Sequence, residues 1–161
     1  MIAFKFLSAG AGPFTGFRWP VGEWVEAEAI EPCRGGIHAC RTQDLPFWLG
    51  RELWEIELDG EVVEQERKVV AQRGRLLRRR EEWTPRLLDE FAADVLARTR
   101  RRFGGVAVLS GYVSDIETFR ATGRIGLAAF AGARAAELAG GPREYERERR
   151  RQADWLAARL G

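Results

Sequence analysis

Residues 68–95 read KVVAQRGRLLRRREEWTPRLLDEFAADV, and within this stretch the period of the apolar positions changes. Up to Leu77 the apolar residues alternate or form short runs, as in a strand. From Leu88 onward Leu88, Phe91, Val95 and Thr99 recur at the spacing of one helix face. Thr84-Pro85 marks the change, because a threonine side chain caps a helix and proline fits its first turn. The expected fold is α+β: a small mixed or antiparallel β unit with one short helix over residues 1–83, then a C-terminal segment of three helices over 84–161 packed on it.

Upstream of residue 68, strands are expected at Ile2–Leu7, Gly16–Trp19, Trp24–Ala29, Ile37–Cys40, Leu53–Leu58 and Glu61–Val63, separated by turn residues. Asp59-Gly60 is expected to turn a hairpin between Leu58 and Val62. Thr42 is the expected cap of a short helix ending near Leu49. Downstream, Ser114-Asp115-Ile116-Glu117 reads as a capping box that opens a second helix continuing towards Leu138. Gly140-Gly141-Pro142 stops it and starts a third helix. That helix is charged from Arg143 to Arg151, with a narrow apolar seam at Ala153, Leu156 and Leu160, and its charged half is expected in solvent.

The 161 residues are 45% apolar and 31% charged, which excludes a disordered chain and allows a core without cross-links. The longest apolar stretch, Ile125 to Ala133, is too short to span a membrane. The start lacks a basic region followed by an apolar core, so a cytoplasmic location is expected. Arginine supplies 24 of the 26 basic residues. The runs Arg78-Arg79-Arg80 and Arg100-Arg101-Arg102 border acidic or helical segments that can pair with them, so nucleic acid is not an expected partner. The sequence names no cofactor.

Both cysteines and the only histidine fall within eight residues, Cys33-Arg34-Gly35-Gly36-Ile37-His38-Ala39-Cys40. In a strand, alternation puts His38 and Cys40 on one face and Ile37 and Ala39 on the other, and a turn at Gly35-Gly36 can fold Cys33 back towards them. Three readings fit. Cys33, His38 and Cys40 are candidate metal ligands, although a closed zinc site needs a fourth and the paired Cys-x-x-Cys spacing is missing. His38 and Cys40 are candidate catalytic residues, although Cβ atoms two apart on a strand lie about 6–7 Å from each other. In the third reading Cys40 is a small buried hydrophobe and His38 lines a pocket. Candidate ligand-binding residues around such a pocket are His38 itself, Trp19, Trp24 and Trp48 as stacking surfaces, and Glu55 and Glu57 on the polar face of the Leu53–Leu58 strand.

Gly36-Ile37-His38-Ala39-Cys40, preceded by Pro32-Cys33 and followed by Asp44-Leu45, Leu53 to Val62 and Lys68-Val69-Val70-Ala71, resembles a family of bacterial and phage domains of unknown function. The family pattern is a Cys, then Gly-aromatic-His-x-Cys, a small helix, an acidic strand and a basic-apolar strand. The resemblance covers residues 3–80, and Ile37 stands where the pattern has an aromatic. Gly36-Ile37-His38-Ala39, the short helix and the strand from Trp54 to Leu58 also look like the middle of ADP-ribosyltransferase folds, with His38 in place of the stacking tyrosine. Phe6-Leu7-Ser8-Ala9-Gly10 stands where those folds carry a His or Arg motif. Together these features point to a small-molecule or peptide binding or accessory module with its pocket at His38. An ADP-ribosyltransferase-like or Cys/His-dependent group-transfer enzyme is the alternative, and the C-terminal helices are a candidate homodimer surface.

Overall fold

The computed structural model describes residues 1–31 and 35–160, so Cys33 lies outside the described residues. The fold is α+β, and the chain divides into two compact units, Met1–Glu81 and a second beginning at Glu82.

The first unit is one sheet whose named ladders are all antiparallel: β1 (Ile2–Leu7), β2 (Trp24–Glu26), β3 (Ile37–Ala39), β4 (Glu52–Gln65) and β5 (Lys68–Arg79). β4 and β5 form a long hairpin with β1 on the outer edge of β4. The other edge of β5 is shared: β3 pairs with residues 69–71 and β2 with 73–75. Just beyond β3, Cys40 exchanges two backbone hydrogen bonds of 2.8 Å with Phe4 of β1, so a single bridge closes the sheet on itself. Inside lie Ala3, Leu7, Ile37, Ala39, Ile56, Leu58, Val69, Ala71 and Leu76, all buried.

Asp59-Gly60 is not the hairpin turn. β4 runs through it, and the chain reverses at Glu66-Arg67. Asp59 pairs with Arg73 and Val62 with Ala71, so Gly60 and Glu61 together oppose Gln72, which is a β-bulge. Gly60 has a φ of +74°, a conformation that suits a bulge as well as a tight turn, and the dipeptide alone does not distinguish them. The inward positions of β5 change phase at the bulge, from Val69 and Ala71 to Leu76. Gly16–Trp19 forms no strand. It is half of a hydrogen-bonded loop in which Gly12 N–H bonds Phe17 O and Trp19 N–H bonds Gly10 O.

After β3, a 3₁₀ turn at Thr42–Asp44 leads into α1 (Leu45–Trp48), and Arg41 rather than Thr42 occupies the cap position. The Arg41 guanidinium bonds Asp44 at 2.6 Å, the Glu64 carboxylate at 2.8 Å and the carbonyls of Gln65 and Glu66 at 2.9 Å each. Trp48 Nε1 donates to Arg67 O at 2.6 Å. This segment therefore clasps the tip of the β4–β5 hairpin. Arg41→Ala is expected to cost about 1–2 kcal/mol, because it takes the guanidinium from two carbonyls and leaves the buried Asp44 carboxylate with the backbone N–H of residue 41. Amide exchange at residues 64–68 should accelerate first, and unchanged protection there would count against the clasp.

The second unit is helical. α2 (Pro85–Phe103) starts as the sequence indicates, with Thr84 Oγ1 accepting the Leu87 N–H at 3.1 Å. The expected second helix is two helices, α3 (Ser110–Ala121) and α4 (Ile125–Gly140), and Ser114 lies inside α3 instead of opening it. Gly123, at φ +68°, ends α3. Its N–H bonds Arg120 O and the Arg124 N–H bonds Phe119 O, the paired closure of a Schellman motif. The charged half of α5 (Pro142–Leu160) is not all in solvent: Glu148 and Arg149 are 2% and 5% exposed. The seam Ala153, Leu156 and Leu160 is buried within the chain and α5 lies along α4, so that seam is not an open face for a second copy. Among the described residues no helix is long and apolar enough to cross a membrane.

Candidate functional site

β3 is placed by glycine at its entry. Gly36 has a φ of +99°, and a Cβ there would overlap Val70 Cγ1, so the chain can lie this close to β5 only without a side chain. His38 then pairs with Val70, while its neighbours Ile37 and Ala39 pack into the core. Alternation thus carries the imidazole to the face away from that core, where it is half-buried.

On the other side of β3, β1 presents Lys5. Ala3 and Leu7 point into the core, and period two puts Lys5 between them on the same inward face. Its amine donates to the His38 carbonyl at 2.8 Å and lies 4.4 Å from the centre of the Trp19 ring. Trp19 is held by the loop that follows β1. That loop is pinned by the Glu52 carboxylate, which accepts the Gly10 N–H at 3.1 Å and the Trp54 Nε1–H at 3.2 Å. Burial pushes the Lys5 amine down to about 8. The His38 imidazole is also lowered, first by burial and then by the cations Lys68 and Lys5.

Cys40 is a free, buried thiol, and burial together with Asp44 pushes it up to about 12. At neutral pH it is a thiol, whereas nucleophilic catalysis needs the thiolate. The metal reading requires Cys33, which lies outside the described residues. Among the described residues no three His, Cys, Asp or Glu side chains are grouped to hold a metal.

The other candidates fall into separate places. Glu55 and Glu57 alternate with the core residues Ile56 and Leu58, so they face away from the core and meet arginines there. Glu55 binds Arg78 at 2.8 Å through both oxygens and Arg80 at 2.5 Å, and Arg78 first of all holds its carboxyl below the ordinary range. Glu57 binds Arg75 at 2.5 Å, and the Arg75 guanidinium lies 4.8 Å from the Trp24 ring. Trp48 belongs to the hairpin clasp. Of the three tryptophans proposed as a wall beside His38, Trp19 is the one that Lys5 links to it.

Lys5 is the site residue that the sequence reading missed. Its signal was an inward-facing position on a strand, between Ala3 and Leu7, filled by one of only two lysines in an arginine-rich chain. Neither a curated protein nor a solved structure matches this chain. The part that carries Lys5, Trp19 and His38 does match a family model, described as domain of unknown function DUF7666, over residues 1–85. As the match takes in the whole sheet and more than half of the 161 residues, the chain belongs to the DUF7666 family.

Proposed function

We propose that the sheet unit is a binding module of a cytoplasmic protein, taking a small molecule or peptide at the seam between β1 and β3. One observation carries the reading: the Lys5 amine, 2.8 Å from the His38 carbonyl and 4.4 Å from the Trp19 ring, lies beside an otherwise apolar cluster. A charged donor half-buried against an aromatic wall, and bound to the backbone of the strand that carries a half-buried imidazole on its other face, supports a recognition site at this seam. Packing alone would be served as well by an apolar side chain at that position.

The test is a ligand screen on the full chain by native mass spectrometry and thermal shift, starting with whatever co-purifies. His38→Ala is expected to weaken the captured ligand by about tenfold or more. Its melting temperature should stay within a few degrees of the wild type, because a half-buried imidazole contributes little core area. A clearly destabilised variant that binds as well as the wild type would make His38 structural and remove the reading. Turnover of a nicotinamide dinucleotide in the same screen would favour the group-transfer alternative.

A further inference from the structure

β3 runs between the strands that carry the only two lysines of the chain: Lys5 on β1, across the Phe4–Cys40 bridge, and Lys68 at the start of β5. Register puts Lys68 and Val70 on one face of β5, the face shared with His38, which is paired to Val70. Nearby arginines on β5 have carboxylates close at hand: Arg73 meets Glu26, Arg75 meets Glu57 and Arg78 meets Glu55. Lys5 is different. Its partners are a carbonyl and an indole face, and among the described residues no carboxylate pairs with it. A cation taken out of water without a counter-ion is costly, and an anion supplied from outside removes that cost. An ammonium is a compact charge suited to a single oxygen, unlike the two-pronged fork of the surrounding arginines.

We infer that the seat between β1 and β3 takes an oxyanion, the carboxylate or phosphate group of the bound ligand, with the Lys5 amine as its main charge and Trp19 as its apolar wall. Lys68 and the His38 side chain share the opposite face of the sheet, so the charge that faces the seat is that of Lys5. The inference rests on the binding reading above and names the chemistry that the site selects.

The probes are inorganic phosphate and acetate, each titrated into ¹⁵N-labelled full chain at constant ionic strength set with chloride. The expected result is saturable shifts of the amides at 37–40 and of the Trp19 indole N–H, following one isotherm. Lys5→Met is expected to weaken that isotherm by about tenfold or more, while Lys68→Met, on the opposite face of the sheet, and Arg86→Met leave it within about twofold. Saturation by phosphate alone identifies a phosphate group, and saturation by acetate alone identifies a carboxylate. Linear, non-saturating shifts, or the same isotherm in Lys5→Met, would overturn the inference. If Lys5→Met does not fold, amine acetylation of the wild type decides: phosphate or acetate must slow modification of Lys5 relative to the N-terminal amine, and an equal rate refutes it. Should a screened ligand move the same amides while neither anion does, the oxyanion inference falls and the binding reading stands; if nothing moves them, both fall.

Discussion

Glu148→Ala is expected to lower stability by about 3 kcal/mol in urea unfolding, the largest loss of any single charged residue in the helical unit. Glu148 is 2% exposed on α5, and its Oε1 accepts Arg98 Nη2 of α2 at 2.8 Å and Gln152 Nε2 at 3.4 Å. Arg102 and Arg151 approach its second oxygen to 3.8 Å and 3.9 Å. Gln152, fully buried, in turn donates to the Ala129 carbonyl of α4 at 2.9 Å, so the network ties three helices together. Truncating the carboxylate leaves an arginine that is 14% exposed with Asp94 as its remaining acidic partner and exposes no compensating apolar surface. Glu148→Gln keeps an acceptor and should lose less. The exposed Asp154 is the control, where Ala is expected to change stability by less than about 0.5 kcal/mol. A Glu148→Ala midpoint equal to that of the control would mean that the network contributes nothing.

That network also shows where one-dimensional reading stops. Residues 143–151 look like a solvated face because nearly every residue is charged, and amphipathicity scores each by its own polarity. Whether Glu148 is buried depends on Arg98, fifty residues away, and no local window contains both. The strands that were legible, Ile2–Leu7 above all, obey a local rule in which alternate positions share one face. The Thr84 cap was legible for the same reason, since both of its partners lie within four residues. Asp59-Gly60 failed because a left-handed glycine serves a bulge and a turn equally. Gly123 failed in the opposite sense: the apolar stripe continues past it, and the backbone closure that ends α3 leaves no mark on that stripe. At the candidate site the sequence pointed to His38. The neighbour that gives the site its charge comes from a strand more than thirty residues away, brought alongside by a single bridge at Cys40.

Lys5→Met is expected to raise stability by about 2 kcal/mol at pH 6 to 7, a sign opposite to that of most core substitutions. In the folded chain the amine titrates near 8, against an ordinary 10.5. Between those two values the unfolded chain holds more protons than the folded one, so the lysine's contribution to stability rises with pH across this window. Below 8 both states are protonated, and the folded state carries the whole cost of keeping an ammonium half-buried. The interval from 10.5 to about 8 corresponds to about 3 kcal/mol, reduced to about 2 by the part of the residue that solvent reaches. Methionine keeps most of the stem and removes the charge, so the gain should shrink as pH rises from 8 and be nearly gone by 10.5. Cys40 works the other way: its thiol, pushed up to about 12, makes the wild type lose stability above the ordinary thiol range, so the two proteins must be compared at each pH. A gain that does not vary with pH would assign it to methionine packing, not to the lost charge. A loss at every pH would mean that the 2.8 Å bond to the His38 carbonyl, which joins β1 to β3 beside the closing bridge, outweighs the cost of the ammonium.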